Sequence, residues 1–262
     1  MKHKLLLIGI LLLSAFFRLY GFNWDQNQHL HPDERFLTMV STAISWPRNL
    51  NEYLDTAISP LNPHNRNFSF FVYGTFPIFF TKWVAESLGK GDYTNLTLVG
   101  RQLSALFDIG TVILVFLIGK QRSRIIGLLA AFFYAASVLP IQLSHFYAVD
   151  TYLTFFITLS FYLLIRIISF PKILNTIYYI LYTLLGFSFG LALASKISAM
   201  LFLPVIGLGL IIACIKNKTP FFARPVASLL CFGVLCSLFL LILLSASRNH
   251  TFLPIPIFLI LL

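Results

Sequence analysis

Stretches of about 20 apolar residues recur along the chain, the length that carries an α-helix across roughly 30 Å of hydrocarbon at about 1.5 Å per residue. The pattern predicts full spans at about 4–22, 98–119, 125–141, 149–168, 177–195, 198–215 and 226–246. After the second span every connection is short, so the helices are expected to follow one another as tight hairpins. One long segment, 23–97, is inserted after the first span. The expected fold class is therefore all-α, a polytopic membrane helical bundle of about seven transmembrane helices, with function concentrated in the inserted loop.

The inserted segment is itself patterned. From Asp33 onward Phe36, Leu37, Met39, Val40, Ala43 and Ile44 recur at helical spacing, as in a helix lying along a membrane surface. Pro47 is expected to stop that helix, and the Asn-rich stretch through Arg48, Asn49, Asn51, Asn62, Asn65 and Asn67 reads as loop. A second interfacial helix is expected from near Pro77, with Phe79, Phe80, Trp83, Val84 and Leu88 toward lipid or the bundle and Lys82 and Glu86 outward. Reading 68–88 as an eighth span would bury those two charges at about 2–3 kcal/mol each.

Composition supports the membrane reading: 58% of residues are hydrophobic, 11% are charged and 28 are Phe. A net charge of +10 invites a nucleic-acid partner, but the basic residues come in short clusters at alternate loops. Lys2 and Lys4, then Lys120, Arg122 and Arg124, then Arg166 and Lys172, then Lys216, Lys218 and Arg224 follow the positive-inside rule instead. The N-terminus is thus expected to be cytoplasmic, in a multi-pass plasma (inner) membrane protein, with 23–97 on the outer face. No small-x-small cleavage site follows the first apolar run, so it reads as a retained helix. Cys214, Cys231 and Cys236 fall within expected spans at a spacing that fits neither a metal site nor a disulfide framework. The Asn-x-Ser/Thr triplets at Asn67, Asn95 and Asn249 are too short a signal to carry weight, and Gly207, Gly209, Gly186 and Gly190 read as helix-packing positions. Phe252–Leu262 is too short to cross a bilayer and is interrupted by Pro254 and Pro256, so the C-terminus looks truncated.

All nine carboxylates lie in the first 150 residues, and only Asp108 falls deep inside an apolar stretch. His31-Pro32-Asp33-Glu34-Arg35 admits two readings. Pro32 at the first helical position with two acids after it caps a helix, and an acid at the bilayer surface can bind a metal or accept a proton from a hydroxyl. Asp150 can likewise cap the fourth span, or complete a metal or substrate site with His145 and Tyr147. Arg101 and Lys196 break the positive-inside trend at outer helix ends, where they either snorkel to headgroups or meet a phosphate. Asp108, seven residues after Arg101 on the same helix face, must be protonated or paired.

These motifs occur in an order that resembles a known family. His31-Pro32-Asp33-Glu34, Asn62-Pro63-His64, Tyr73-Gly74 before Pro77, Gly100-Arg101-Gln102-Leu103-Ser104, Gln142-Leu143-Ser144-His145-Phe146 with Val149-Asp150, and Gly190-Leu191-Ala192 leading to Lys196 follow one another over residues 1–205. Together they are similar to bacterial GT-C glycosyltransferases akin to the dolichyl-phosphate-mannose protein mannosyltransferases, whose N-terminal catalytic half this chain resembles.

The resemblance implies an enzyme that moves a sugar from a polyprenyl-phosphate carrier to a protein, lipid or glycan acceptor on the outer face, with inversion. On that basis residues 1–262 form a GT-C-like transmembrane catalytic domain. Asp33 is the expected general base, with Glu34 beside it and Asp150 as supporting acid. Arg35, Arg101, His145 and Lys196 are the expected carrier-phosphate or substrate contacts, and Asp33 with Asp150 the expected ligands of a divalent Mg or Mn ion. The alternatives are a polytopic transporter of a lipid-linked or anionic substrate that uses Asp108, and an inactive fragment that scaffolds other membrane proteins.

Overall fold

The computed structural model describes residues 2–169 and 175–217, all of it helix and loop. In order come α1 (Lys2–Leu19), α2 (Pro32–Ala43), α3 (Leu50–Leu54), α4 (Thr75–Ser87), α5 (Tyr93–Lys120), α6 (Arg124–Ala135), α7 (Val138–Ser144), α8 (Val149–Ser169), α9 (Asn175–Ser195) and α10 (Leu203–Asn217). Short 3-10 turns occupy Pro63–Arg66 and Ile197–Phe202. The expected span 226–246, with Cys231, Cys236, Lys172, Lys218, Arg224, Asn249 and Phe252–Leu262, lies outside the described residues.

The chain is a multi-pass membrane protein. Among the described residues three helical stretches, Tyr93–Lys120, Val149–Ser169 and Ile197–Lys216, are long and apolar enough to cross a bilayer, and α6 with α7 makes a fourth if the pair counts as one broken span. Ile180–Ser195 is apolar but shorter, and α1 carries Lys2, Lys4 and Arg18 in its 18 residues. Central α5 packs against α1, α6 and α8, and α8 packs against α9 and α10. A Cβ on Gly100 would collide with the Tyr147 ring and one on Gly209 would collide with Leu164, so these two glycines permit close helix approach. Gly207 and Gly190, expected to do the same, meet no neighbour within 4 Å among the described residues.

The expected span 125–141 is not straight: α6 and α7 meet at a bend of 58°. Pro140 has no N–H for the carbonyl one turn earlier, and the Ser137 hydroxyl bonds back to the Phe133 carbonyl at 2.7 Å, which bends helices. Because α6 ends at Ala135, the carbonyls of Tyr134 and Ala135 have no partner one full turn on. The Ser137 N–H donates to Tyr134 at 3.1 Å, and the Arg18 guanidinium donates to both carbonyls, at 2.9 Å to Ala135 and 3.5 Å to Tyr134. Its Nε donates to Asp108 at 2.5 Å, and the Tyr134 hydroxyl donates to the other Asp108 oxygen at 2.7 Å. Asp108 is therefore paired, and the cluster joins α1, α5 and the break after α6.

Both expected interfacial helices exist, with revised faces. His31 is the N-cap of α2, its Nδ1 accepting from the Glu34 N–H at 3.3 Å, with Pro32 in the first turn. The inward face carries Glu34, Leu37, Thr38, Val40 and Ser41, while Met39, expected among the apolar set, is exposed. Polar residues turn inward because partners wait there: Thr38 bonds Thr97 at 2.9 Å and Ser41 bonds the Tyr147 hydroxyl at 3.0 Å. In α4, the charge on Lys82 predicts an outward side chain, yet its stem is buried and its ammonium reaches Glu86 at 2.8 Å. Trp46 donates to the second Glu86 oxygen, and Trp83 and Leu88 stay exposed.

Following the chain, Lys2, Lys4, Lys120, Arg122, Arg124, Arg166 and Lys216 come at one end of the bundle. Asp33, Asp150 and Lys196 come at the other, under α2 and α4.

Candidate active site

Two charged clusters share that end of the bundle. The inner one centres on Arg101 of α5, which is 1% exposed. Its Nε donates to Glu34 Oε1 at 2.7 Å, one terminal nitrogen donates to the Phe22 carbonyl at 3.0 Å and to Asp25 Oδ1 at 2.9 Å, and the other donates to Asp25 Oδ2 at 2.8 Å and to Glu34 Oε2 at 2.7 Å. A guanidinium has five N–H donors, and all of them are engaged. The Tyr147 N–H adds a bond to Glu34 Oε1 at 2.8 Å, and the N–H groups of Asn27 and Leu30 bond Asp25. The Arg101 hydrogen bond holds the Asp25 carboxyl at about 2, below the usual range, against the opposing effect of burial. His29 sits beside this cluster, its Nδ1 3.3 Å from Thr97, and burial pushes its imidazole down.

The outer cluster is open. Asp33, next to Glu34 on the same helical turn, is exposed. Asp150 opens α8, and the Lys196 ammonium, just after α9, donates to Asp150 Oδ1 at 2.7 Å with both side chains 35–40% exposed. Burial raises the Tyr73 phenol to about 12, and the negative charges of Asp33 and Asp150 add to that effect, so both carboxylates, far apart in sequence, lie within electrostatic reach of one phenol.

Aromatic rings form the rim. Phe146 stacks on His31 at 4.1 Å and meets Trp24 edge-on at 5.7 Å, and the Trp24 indole donates to the His145 carbonyl at 3.3 Å. This contact fixes the turn 145–148 against the chain leaving α1.

The expected site residues thus divide. Asp150 and Lys196 pair on an accessible surface, with exposed Asp33 at the same end of the bundle. Glu34 and Arg101 do not join them: buried and hydrogen-bonded to each other, they have no free donor or exposed oxygen for substrate. His145 is committed as well, with Nδ1 2.8 Å from the Ile141 carbonyl and Nε2 3.0 Å from the Tyr20 carbonyl. Arg35 is exposed, and its positive charge acts to lower the titration of His29 and Tyr93. Two scaffold residues, Asp25 and Arg18, are not singled out by the sequence pattern, and Tyr73 is named there only within a motif, with no role of its own. Arg18 carries a usable signal, because a cation inside an expected span requires a partner.

Among the described residues no group of three or more His, Cys, Asp or Glu side chains could hold a metal ion. Asp33 and Asp150, the expected ligands, supply two carboxylates, one of them held by Lys196.

Comparisons with known proteins bear on the same elements. The fold is similar to that in the structure of the S. cerevisiae protein O-mannosyltransferase Pmt1-Pmt2 complex bound to the sugar donor, with a TM-score of 0.69 and 22% identity. That match covers 92% of this chain and 33% of the yeast chain, so the present chain spans about a third of its relative's length. Among curated proteins no sequence matches. The family model described as dolichyl-phosphate-mannose-protein mannosyltransferase matches residues 79–246, a stretch that includes Arg101, His145, Asp150 and Lys196. With the matched stretch covering more than half of its length, the chain belongs to the dolichyl-phosphate-mannose-protein mannosyltransferase family.

Proposed function

We propose that this chain carries the catalytic end of an inverting membrane glycosyltransferase that takes a sugar, mannose being the family's, from a polyprenyl-phosphate carrier on the outer face of the membrane. The observation that carries the reading is the outer cluster, where an exposed carboxylate and a half-exposed carboxylate–ammonium pair flank one phenol at one end of a membrane helical bundle. The donor's isoprenoid tail stays in hydrocarbon while its phosphate and sugar reach the level of α2 and α4.

The acceptor oxygen attacks the sugar's anomeric carbon from the side opposite the phosphate, and the bond from that carbon to the phosphate oxygen breaks with its electron pair. Asp33 takes the acceptor's proton, for which its exposure suits it. Lys196 has three N–H donors and uses one on Asp150, leaving two for the phosphate as charge develops on it. Asp150 holds that ammonium in place. The inner cluster fixes the first turn of α2, and thereby Asp33, against α5. The transporter alternative loses its motivation, because Asp108 is engaged by Arg18 and Tyr134.

Membranes carrying the full chain and a labelled polyprenyl-phosphate mannose test the proposal. Wild type should transfer label to acceptor and release the carrier phosphate, and Lys196→Gln should lower the rate about 10²-fold, the scale for removing one donor to a developing oxyanion. Equal release by wild type, by Lys196→Gln and by membranes lacking the protein would contradict it.

A further inference from the structure

Residues 67–74 run from the 3-10 turn Pro63–Arg66 to the start of α4 and join α2 to the end of α9 on the way. Phe68 and Phe71 pack on Phe36 of α2, with ring centroids 5.8 and 6.3 Å away. At the other end the Gly74 N–H donates to the Ser195 carbonyl at 3.0 Å, one residue before Lys196. Carbonyls in the last turn of a helix lack a partner within it, and here a segment distant in sequence supplies one. Gly74 is the N-cap of α4 at φ −71° and ψ 155°, a conformation open to any residue, and it makes no side-chain cap. Ser, Thr, Asn or Asp would cap that helix better. What excludes them is the neighbour: a Cβ at position 74 would overlap the Ala194 carbonyl group and the Ser195 backbone, neither of which is a flexible side-chain end. The glycine serves close approach to α9, not backbone freedom.

The residue that follows this contact is Lys196. Its backbone is extended between α9 and the 3-10 turn Ile197–Phe202, with its N–H on the Ala192 carbonyl at 3.0 Å and its carbonyl accepting from the Ala199 N–H at 3.1 Å. The Gly74 bond fixes the peptide just before it. From that origin the side chain reaches Asp150 Oδ1 at 2.7 Å. A lysine stem is flexible, so the place of its ammonium depends on where the backbone starts.

We infer that Gly74 is a positioning residue for sugar transfer: by letting its N–H reach the Ser195 carbonyl, it sets the backbone from which Lys196 meets Asp150 and the carrier phosphate. This rests on the reading of Lys196 as the phosphate contact. A side chain at 74 pushes the end of α9 and the start of α4 apart, and a shift of about 1 Å in a group that must meet developing charge costs up to about 10²-fold.

The test is a double-mutant cycle in membranes carrying the full chain, with labelled polyprenyl-phosphate mannose as donor and rates normalised to folded protein. Gly74→Ala should lower the single-turnover rate of sugar release about tenfold or more, while Val72→Ala, an exposed neighbour in the same segment, should stay within about twofold of wild type. In a Lys196→Gln background, itself impaired, Gly74→Ala should add less than about twofold. Acylation of Lys196 by an amine-reactive reagent, followed by mass spectrometry, reads the same displacement without turnover and should be severalfold faster in Gly74→Ala, where the ammonium leaves Asp150. In wild type, the Gly74 amide should be protected from hydrogen exchange, a measurement that needs no variant. An unprotected amide, unchanged turnover or labelling in Gly74→Ala, or an equal fractional loss with and without Lys196 would overturn the positioning role and leave the reading of Lys196 intact. So would a Gly74→Ala chain that does not fold, since the contact would then belong to the whole fold. A wild-type rate for Lys196→Gln would instead remove that reading, and the glycine's role with it.

Discussion

Asp33 and Glu34 are neighbours on one turn of one helix, yet they belong to different parts of the molecule. Glu34 turns inward and, with Asp25, saturates Arg101, while Asp33 turns outward and meets solvent, Tyr73 and the open side of the bundle. A buried ion cluster with every donor and acceptor engaged is rigid and expensive to disturb, but nothing in it is free to bind or exchange a proton. The outer cluster has spare donors on Lys196 and an exposed carboxylate, the conditions chemistry requires. In this pair of neighbours, the scaffold carboxylate and the one proposed to react differ by one residue of helical rotation.

Breaking each side in turn should separate the two roles. The largest effect is expected from Asp33→Asn: turnover should fall about 10²–10⁴-fold, the usual worth of a positioned base, with folded protein and melting temperature unchanged. Arg101→Met should act the other way round. It leaves two buried carboxylates without their partner, a loss of about 3–5 kcal/mol, visible as loss of folded protein in detergent thermal melts. Asp108→Asn should cost less, about 1–3 kcal/mol, since the amide oxygen can still accept from Arg18, which also keeps its carbonyl partners. Turnover per folded molecule should then stay near wild type, an outcome a proton-coupled transporter would not give.

The smallest effect is one of pH. Asp25 has its folded carboxyl at about 2 against an ordinary 3.8, so its stabilising contribution is complete above about pH 4. It should be lost as pH falls from about 4 toward 2. Melting temperature measured across that window should drop in wild type and change less in Arg101→Met, where the stabilising partner is gone.

The membrane class and most helices are legible in the sequence because an apolar run of about 20 residues matches a membrane-spanning helix and little else. The interfacial helices are legible because a period of about 3.6 residues survives in α2 and α4. Their faces are less so. Thr38 and Ser41 lie outside the apolar set of α2, yet they turn inward to partners on α5 and in the turn 145–148 that lie far off in sequence. Lys82 misleads for the related reason that a long stem can be buried while its ammonium reaches a carboxylate one turn away. In the site, charge placement marks Asp33, Asp150 and Lys196, which needs only the end of the bundle to be known. Distinguishing them from Glu34 and Arg101 requires the side-chain direction on each helix and the position of Asp25, neither of which a linear motif encodes. The break between α6 and α7 is foreshadowed by Pro140, while its stabilisation by Arg18 depends on a contact across 117 positions of sequence.

The most direct test is the single-turnover rate of sugar release from a labelled polyprenyl-phosphate donor, normalised to folded protein, for wild type and Asp33→Asn measured side by side. A fall of at least about 10²-fold per folded molecule, with equal amounts of folded protein, is the expected result. Equal rates for the two proteins would contradict the assignment of chemistry to the outward carboxylate.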